Sequence, residues 1–141
     1  MRISAKIEYA CIAMTQLAAG YGTGRPIRIR RIAQDNGIPS RFLVQILLQL
    51  KGAGLVRSVR GAAGGYYLAQ PPSEISLAAV IDVVNGGNSL ASSVTVPSPA
   101  ADVLMGIWHE VGQRERDMLE SITLAGVLER LEARSAPMFY I

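Results

Sequence analysis

The chain has 141 residues, half of them apolar and 18 % charged, which suits one domain with a packed core and excludes a disordered chain. No stretch approaches the roughly 18 uninterrupted apolar residues of a membrane span, and the opening MRISAKIEYA carries charge where a secretion signal needs its apolar run, so a cytoplasmic location with no membrane contact is expected. One cysteine, Cys11, cannot close an internal disulfide, and with one histidine, His109, there is little material for a metal site or for acid–base chemistry; no enzyme, metal or cofactor is expected.

From Ser4 to Ala19 the residues Ile7, Cys11, Met14 and Ala18 recur at helical spacing beside Ile3 and Leu17, with Ser4 as N-cap. The run 20–24 and Pro26 then break the helix. A short second helix follows in IRIRRIAQDNG, with Ile29, Ile32 and Ala33 on one face and Asn36-Gly37 as its stop. Ser40 is expected to cap a third helix from Arg41 to Ala53, with Phe42, Leu43, Ile46, Leu47 and Leu50 inward and Arg41, Gln45 and Gln49 on the opposite face. The stretch LVRSVRGAAGGYYLAQPP reads as two short strands around a glycine-rich tip, closed by two prolines. Helix, turn, helix and then hairpin is the order of a winged helix-turn-helix.

Ser76 caps a further helix with the stripe Leu77, Val80, Ile81 and Val84, ending at Asn85-Gly86-Gly87. From Asn88 to Ala101 there is no charge, and Pro97 and Pro99 argue for a loop. A long helix from Asp102 to Ser121 carries Leu104, Ile107, Trp108, Val111, Met118 and Ile122 on one side, more length than a small domain needs to cover its own core, so a homodimer is expected. A last helix begins at Thr123 with Leu124, Val127, Leu128 and Leu131, and Pro137 ends it before an apolar tail. The expected fold is mainly α with a small β-hairpin wing. Residues 1–87 form the winged helix-turn-helix unit, 88–101 a loop, and 102–141 the dimerisation helix, last helix and tail.

The net charge of +3 is unevenly spread. Arg25, Arg28, Arg30, Arg31, Arg41, Lys51, Arg57 and Arg60 stand in one window against a single acid, Asp35, eight bases to one acid and a local charge of +7. A polyanion is the natural partner of that quarter of the chain, the other reading being a solvated basic face without function.

The segment SRFLVQILLQLKGAGLVRSVRGAAGGYYLAQPPSEISLAAVIDVVNGG resembles the core signature of the Rrf-two family of bacterial repressors, and MRISAKIEYA, the wing VRGAAGGYYLA and the late Thr123-Leu-Ala-Gly-Val127 resemble family landmarks in the same order. The resemblance implies that the helix near Ser40 enters the major groove of double-stranded DNA while the wing reaches the minor groove. The implied contacts fall on Ser40, Arg41 and Gln45, and on Arg60 with Gly61, Gly64 and Gly65; Arg28, Lys51, Arg57 and Tyr67 complete the expected DNA-binding set. Base-edge chemistry agrees, since Arg pairs with guanine, Gln with adenine, and a narrow minor groove attracts Arg. A hairpin alone would explain the glycines but not Arg60. Many relatives carry glutamate where this chain has Val44, so one carboxylate base contact is missing.

Cluster-binding members place three cysteines in the loop that here reads GGNSLASSVTVPSPAADV, which has none, so an iron-sulfur cluster is not expected. Cys11 sits on the apolar stripe of the first helix, where packing competes with a redox role. The clusterless branch includes repressors of cysteine metabolism controlled by complex formation with cysteine synthase, and the ending Phe139-Tyr140-Ile141 resembles a tail that docks in that enzyme's cleft. Two alternatives stay open: direct sensing of a small metabolite under the 88–101 loop, and a protein-interaction module that regulates an enzyme.

Overall fold

The computed structural model describes residues 1–86 and 91–135. Among these residues six α-helices and one hairpin follow one another as α1 (Ala5–Ala19), α2 (Ile29–Asn36), α3 (Ser40–Gly52), β1 (Val56–Val59), β2 (Gly65–Leu68), α4 (Leu77–Asn85), α5 (Pro99–Ser121) and α6 (Leu124–Ser135), with a 3-10 turn at Pro72–Glu74. The winged helix-turn-helix order expected from the sequence is present.

Local chemistry sets most boundaries. The Ser4 hydroxyl accepts from the Ile7 amide at 3.2 Å and the Ser76 hydroxyl from the Ala79 amide at 3.1 Å, each satisfying a free N–H of the first turn. Gly37 and Gly86 end α2 and α4 in the left-handed conformation that glycine adopts without strain. Gly87, expected as part of the second stop, lies outside the described residues.

α1 is the centre of the core. Its Ala10, Ala13 and Met14 are fully buried, and it packs against α2, α3, α4, α6 and β2. Small residues at 10 and 13 let neighbouring elements approach closely, and Ile32, Leu43, Ile46, Leu47, Leu50, Val56, Leu68, Ile75, Val80 and Leu124 close one continuous cluster around them. Each large aliphatic side chain in it contributes about 1.5–3 kcal/mol relative to an exposed position.

Several expectations are corrected. Ile3 lies before α1 and is exposed, outside the stripe. Ser40 is the first residue of α3 and not its cap; Pro39 holds the cap position with extended backbone, and no side chain caps that end. Phe42 is 41 % exposed, because the inward face of α3 is already filled by Leu43, Ile46, Leu47 and Leu50. Pro99 does not exclude a helix: it occupies the first turn of α5, where a missing N–H is harmless, while the Ser98 hydroxyl caps it by accepting from the Ala101 amide at 3.1 Å. The long helix therefore starts three residues before the expected Asp102.

α6 begins at Leu124 and not at Thr123, whose hydroxyl accepts from the Gly126 amide at 3.1 Å. It returns to the core. Leu77 N donates to Ile122 O at 2.8 Å and Leu124 N to Ile75 O at 2.9 Å, so the junction of α5 and α6 is hydrogen-bonded to the segment that opens α4. Leu131, one of the apolar residues expected on this helix, is half exposed.

Candidate nucleic-acid interface

α3 separates its faces cleanly. With Leu43, Ile46, Leu47 and Leu50 inward, helical spacing turns Arg41, Val44, Gln45, Leu48 and Gln49 to solvent. Ser40 and the uncapped N–H groups of the first turn stand at the same end, which favours an anionic ligand there. The Arg41 guanidinium lies 5.0 Å from the centroid of the Phe42 ring, and that ring lies 5.9 Å from the ring of Tyr9 on α1. Phe42 thus forms part of a platform that orients Arg41.

The wing is an antiparallel pair in the register Val56 to Leu68, Arg57 to Tyr67, Ser58 to Tyr66 and Val59 to Gly65. Alternation sends Val56 and Leu68 into the core and Arg57 and Tyr67 outward, where they share a shallow concavity with Lys51. Ile27 adds a third short piece of strand: its N–H donates to Tyr66 O, and Tyr66 N–H donates back to Ile27 O, both at 2.8 Å. That contact needs glycine. At Gly65, with φ of 145°, a Cβ would fall 2.6 Å from the Ile27 carbonyl, and at Gly64 it would fall 2.2 Å from Val59 O. Gly64 is itself buried, so these two glycines make room for the protein's own backbone, whereas Gly61, with φ of 104°, stands in open space at the tip beside the exposed Arg60.

Arg28, expected to bind DNA, is hydrogen-bonded within the protein. Its guanidinium donates to Gly61 O at 3.2 Å and also to Ala62 O, joining the start of α2 to the wing tip. The structure therefore gathers the expected residues into two prominent groups, Ser40, Arg41 and Gln45 on α3 and Arg60 with Gly61 at the tip, with Lys51, Arg57 and Tyr67 on the outer wing face. Sequence reasoning counted Arg25, Arg30 and Arg31 but assigned them no place. They line one groove with Arg28, between the α1–α2 loop, α2 and the wing. The signal that could have found them is their density, four arginines in seven residues on either side of Pro26.

Cys11 faces a different environment. It is half-buried in an apolar groove of about 580 Å³ with Ile12, Leu77, Val127, Leu128 and Leu131, and burial pushes its thiol pKa up to about 11. A thiol so protonated is a poor nucleophile and a poor metal ligand at neutral pH, which weighs against a redox role. Phe139, Tyr140 and Ile141 lie outside the described residues.

The sequence profile of the Rrf2 family, described as "Iron-dependent Transcriptional regulator", matches residues 3–130. The chain belongs to the Rrf2 family. It is 40 % identical over 131 residues to the putative HTH-type transcriptional regulator MT1325 of Mycobacterium tuberculosis, covering 90 % of this chain and 81 % of that one. It is 34 % identical to the regulator CymR of Bacillus subtilis over the full length of both; the solved CymR structure superposes with a TM-score of 0.80 at 32 % identity, covering 92 % and 98 % of the two chains. The solved structure of T. potens IscR gives a TM-score of 0.82 at 34 % identity, covering 99 % of this chain and 95 % of that one. These Rrf2 relatives are regulators by name, and the chain is a DNA-binding winged-helix transcriptional regulator and not an enzyme.

The iron in the Rrf2 description calls for a donor set, and these residues do not supply one. The sole cysteine is the protonated, half-buried Cys11 on α1, and among the described residues no group of three or more His, Cys, Asp or Glu could hold a metal ion.

Proposed function

We propose that the protein is a homodimeric repressor that lays one α3 per subunit in successive major grooves of a pseudo-palindromic operator, with half-sites roughly 10 base pairs or a multiple apart. The observation that carries this is the face of α5 formed by Leu104, Ile107, Trp108 and Val111. They recur at i, i+3, i+4 and i+7, and each is between 44 % and 49 % exposed. An apolar stripe at that spacing, left in water on a helix of 23 residues, is what a partner helix covers. In this division of labour residues 1–87 read DNA, α5 and the residues after it hold the dimer, and the segment before Pro99 links them.

At the duplex, Arg41 and Gln45 read base edges from α3, Ser40 and the α3 N-terminus contact phosphate, and Arg60 enters the minor groove, with Gly61 allowing close approach. Lys51, Arg57 and Tyr67 meet the flanking backbone, Gly64 and Gly65 shape the wing, and Arg28 holds it. The test is selection of genomic fragments by the purified protein, followed by Arg41→Ala and Arg60→Ala on the enriched palindrome. Each variant is expected to lose about 1–3 kcal/mol of specific affinity. Unchanged affinity in both sinks this docking.

Regulation proceeds without an iron-sulfur cluster, since the donors are lacking. Full-length similarity to CymR, which is described as the global cysteine regulator of B. subtilis, supports control of cysteine or sulfur metabolism, with complex formation with cysteine synthase as the signal. Deletion of Ile141 is then expected to abolish co-elution with cysteine synthase while operator binding stays intact. A second reading, direct sensing of a small metabolite, is favoured by the apolar groove beside Cys11, a place other than the 88–101 loop expected from the sequence. Calorimetry with candidate metabolites separates the two.

A further inference from the structure

The groove bounded by the α1–α2 loop, α2 and the wing has a volume of about 930 Å³ and is lined by Arg25, Arg28, Arg30 and Arg31 with no carboxylate among its lining residues. The one acid nearby in sequence, Asp35, is already engaged: its Oδ2 accepts from Arg31 Nε at 3.0 Å and from Gln16 Nε2 at 2.9 Å. Arg28 is committed to the wing tip. Among the described residues Arg25 and Arg30 form no ion pair, so two of the arginines that line the groove are uncompensated. The loop that presents Arg25 is ordered by its own bonds, Thr23 Oγ1 donating to Gly20 O at 2.8 Å and accepting from the Arg25 amide at 3.2 Å. Concave geometry, fixed presentation and unpaired positive charge together describe an anion site.

We propose that this groove is a second phosphodiester site, which grips the DNA backbone beyond the wing through Arg25 and Arg30. A duplex is favoured over a small free anion because the groove is an open trough and not an enclosed cavity, and because Val59 and Gly64 belong to both its wall and the wing. DNA that accepts Arg60 in its minor groove continues along that wall. The site rests on the wing docking proposed above and extends its footprint. It carries no sequence information, since arginine on phosphate reads charge alone.

The test measures binding of the full chain to the selected operator and to an unrelated duplex across a salt series. Arg25→Gln with Arg30→Gln leaves every described ion pair intact, and thermal melting verifies folding. The double variant is expected to reduce the magnitude of the salt slope by about 2, equally on both duplexes, because each phosphate neutralised contributes close to one unit. Arg130→Gln, on exposed α6, is the control and leaves the slope unchanged. A normal wild-type slope that the double variant preserves overturns the groove site alone. Tight binding of inorganic pyrophosphate with an unaltered duplex slope also overturns it, in favour of a free anion. If the wild-type protein shows no salt-dependent binding to either duplex, the wing docking falls with it.

Discussion

The guanidinium of Arg28 reaches across 33 residues of sequence to donate to the carbonyl oxygen of Gly61 at 3.2 Å, so the first residue before α2 and the tip of the wing form one unit. Without this bond the tip would hang from two four-residue strands, and the position of Arg60 would be poorly determined. Arg28→Ala is expected to weaken binding to operator by about 1 kcal/mol, near the lower end for a charge-assisted bond because the site is exposed. Amide exchange at residues 61 and 62 should quicken while the melting temperature barely moves. A variant that binds normally would show that the wing needs no such strut.

The glycines of the wing make a paired prediction. Gly65→Ala places a methyl against the Ile27 carbonyl at a φ of 145° and should break the Ile27–Tyr66 bridge, destabilising the fold by about 1–3 kcal/mol in chemical unfolding. Gly61→Ala meets no atom within 4 Å and should cost only the backbone strain, about 1 kcal/mol. Equal losses at the two positions would contradict the packing described.

Trp108→Glu places a charge at the middle of the exposed stripe of α5. Sedimentation should then report monomers at concentrations where the parent chain is dimeric. Operator affinity should fall steeply because two half-sites are no longer bound together. Helix content by circular dichroism should change little, since Trp108 lies outside the monomer core. A dimer that survives this charge places the subunit contact elsewhere.

Burial sets the chemistry of Cys11. With its pKa raised to about 11, alkylation at neutral pH should be slow and should rise about tenfold per pH unit until that value is approached. Cys11→Ala is expected to leave operator binding unchanged in reducing and oxidising buffer alike. Rapid labelling at neutral pH would mean that the groove opens in solution.

The pair Asp82–Arg116 fastens α5 to α4 through two bonds of 2.8 and 2.6 Å. The hydrogen bond from the Arg116 guanidinium holds the Asp82 carboxyl below its ordinary value, against the opposing effect of burial. Because the folded pKa is depressed, the stabilisation is present above the unfolded value near 3.9 and is lost as pH falls through the folded one. Asp82→Asn should lower the melting temperature by no more than a few degrees at neutral pH, since both groups are substantially exposed, and the gap should close in acid. A gap that is independent of pH would assign the effect to packing.

Helix identity and order were legible in the sequence because apolar periodicity marks each helix, and Ser4 and Ser76 supply the caps expected of them. What escaped were positions where tertiary contacts override local preference. Phe42 fits the inward stripe by spacing, yet Leu43 and Ile46 fill that side and leave its ring to support Arg41. Pro99 reads as a breaker in isolation and as a first-turn residue once Ser98 caps it. The resemblance implies DNA contacts at the wing glycines, whereas the steric demand that Ile27, nearly forty residues earlier, places on Gly65 is visible only in three dimensions. The basic character of residues 25–60 was plain from composition, but which arginines are already occupied by Asp35 or by wing carbonyls was not.

The joint between α5 and α6 has a mechanical meaning. Ser76 and Thr123 bridge the base of the long helix to the start of α4, and Asp82 grips it through Arg116 about two turns further along. A helix of 23 residues is about 35 Å long, so a tilt of about 5° at that base would carry its far end roughly 3 Å, close to one base-pair step. In the proposed dimer the angle at this joint is therefore a vernier on operator spacing. A signal that loosened only the base of α5 could put the two reading heads out of phase with the duplex without touching either of them.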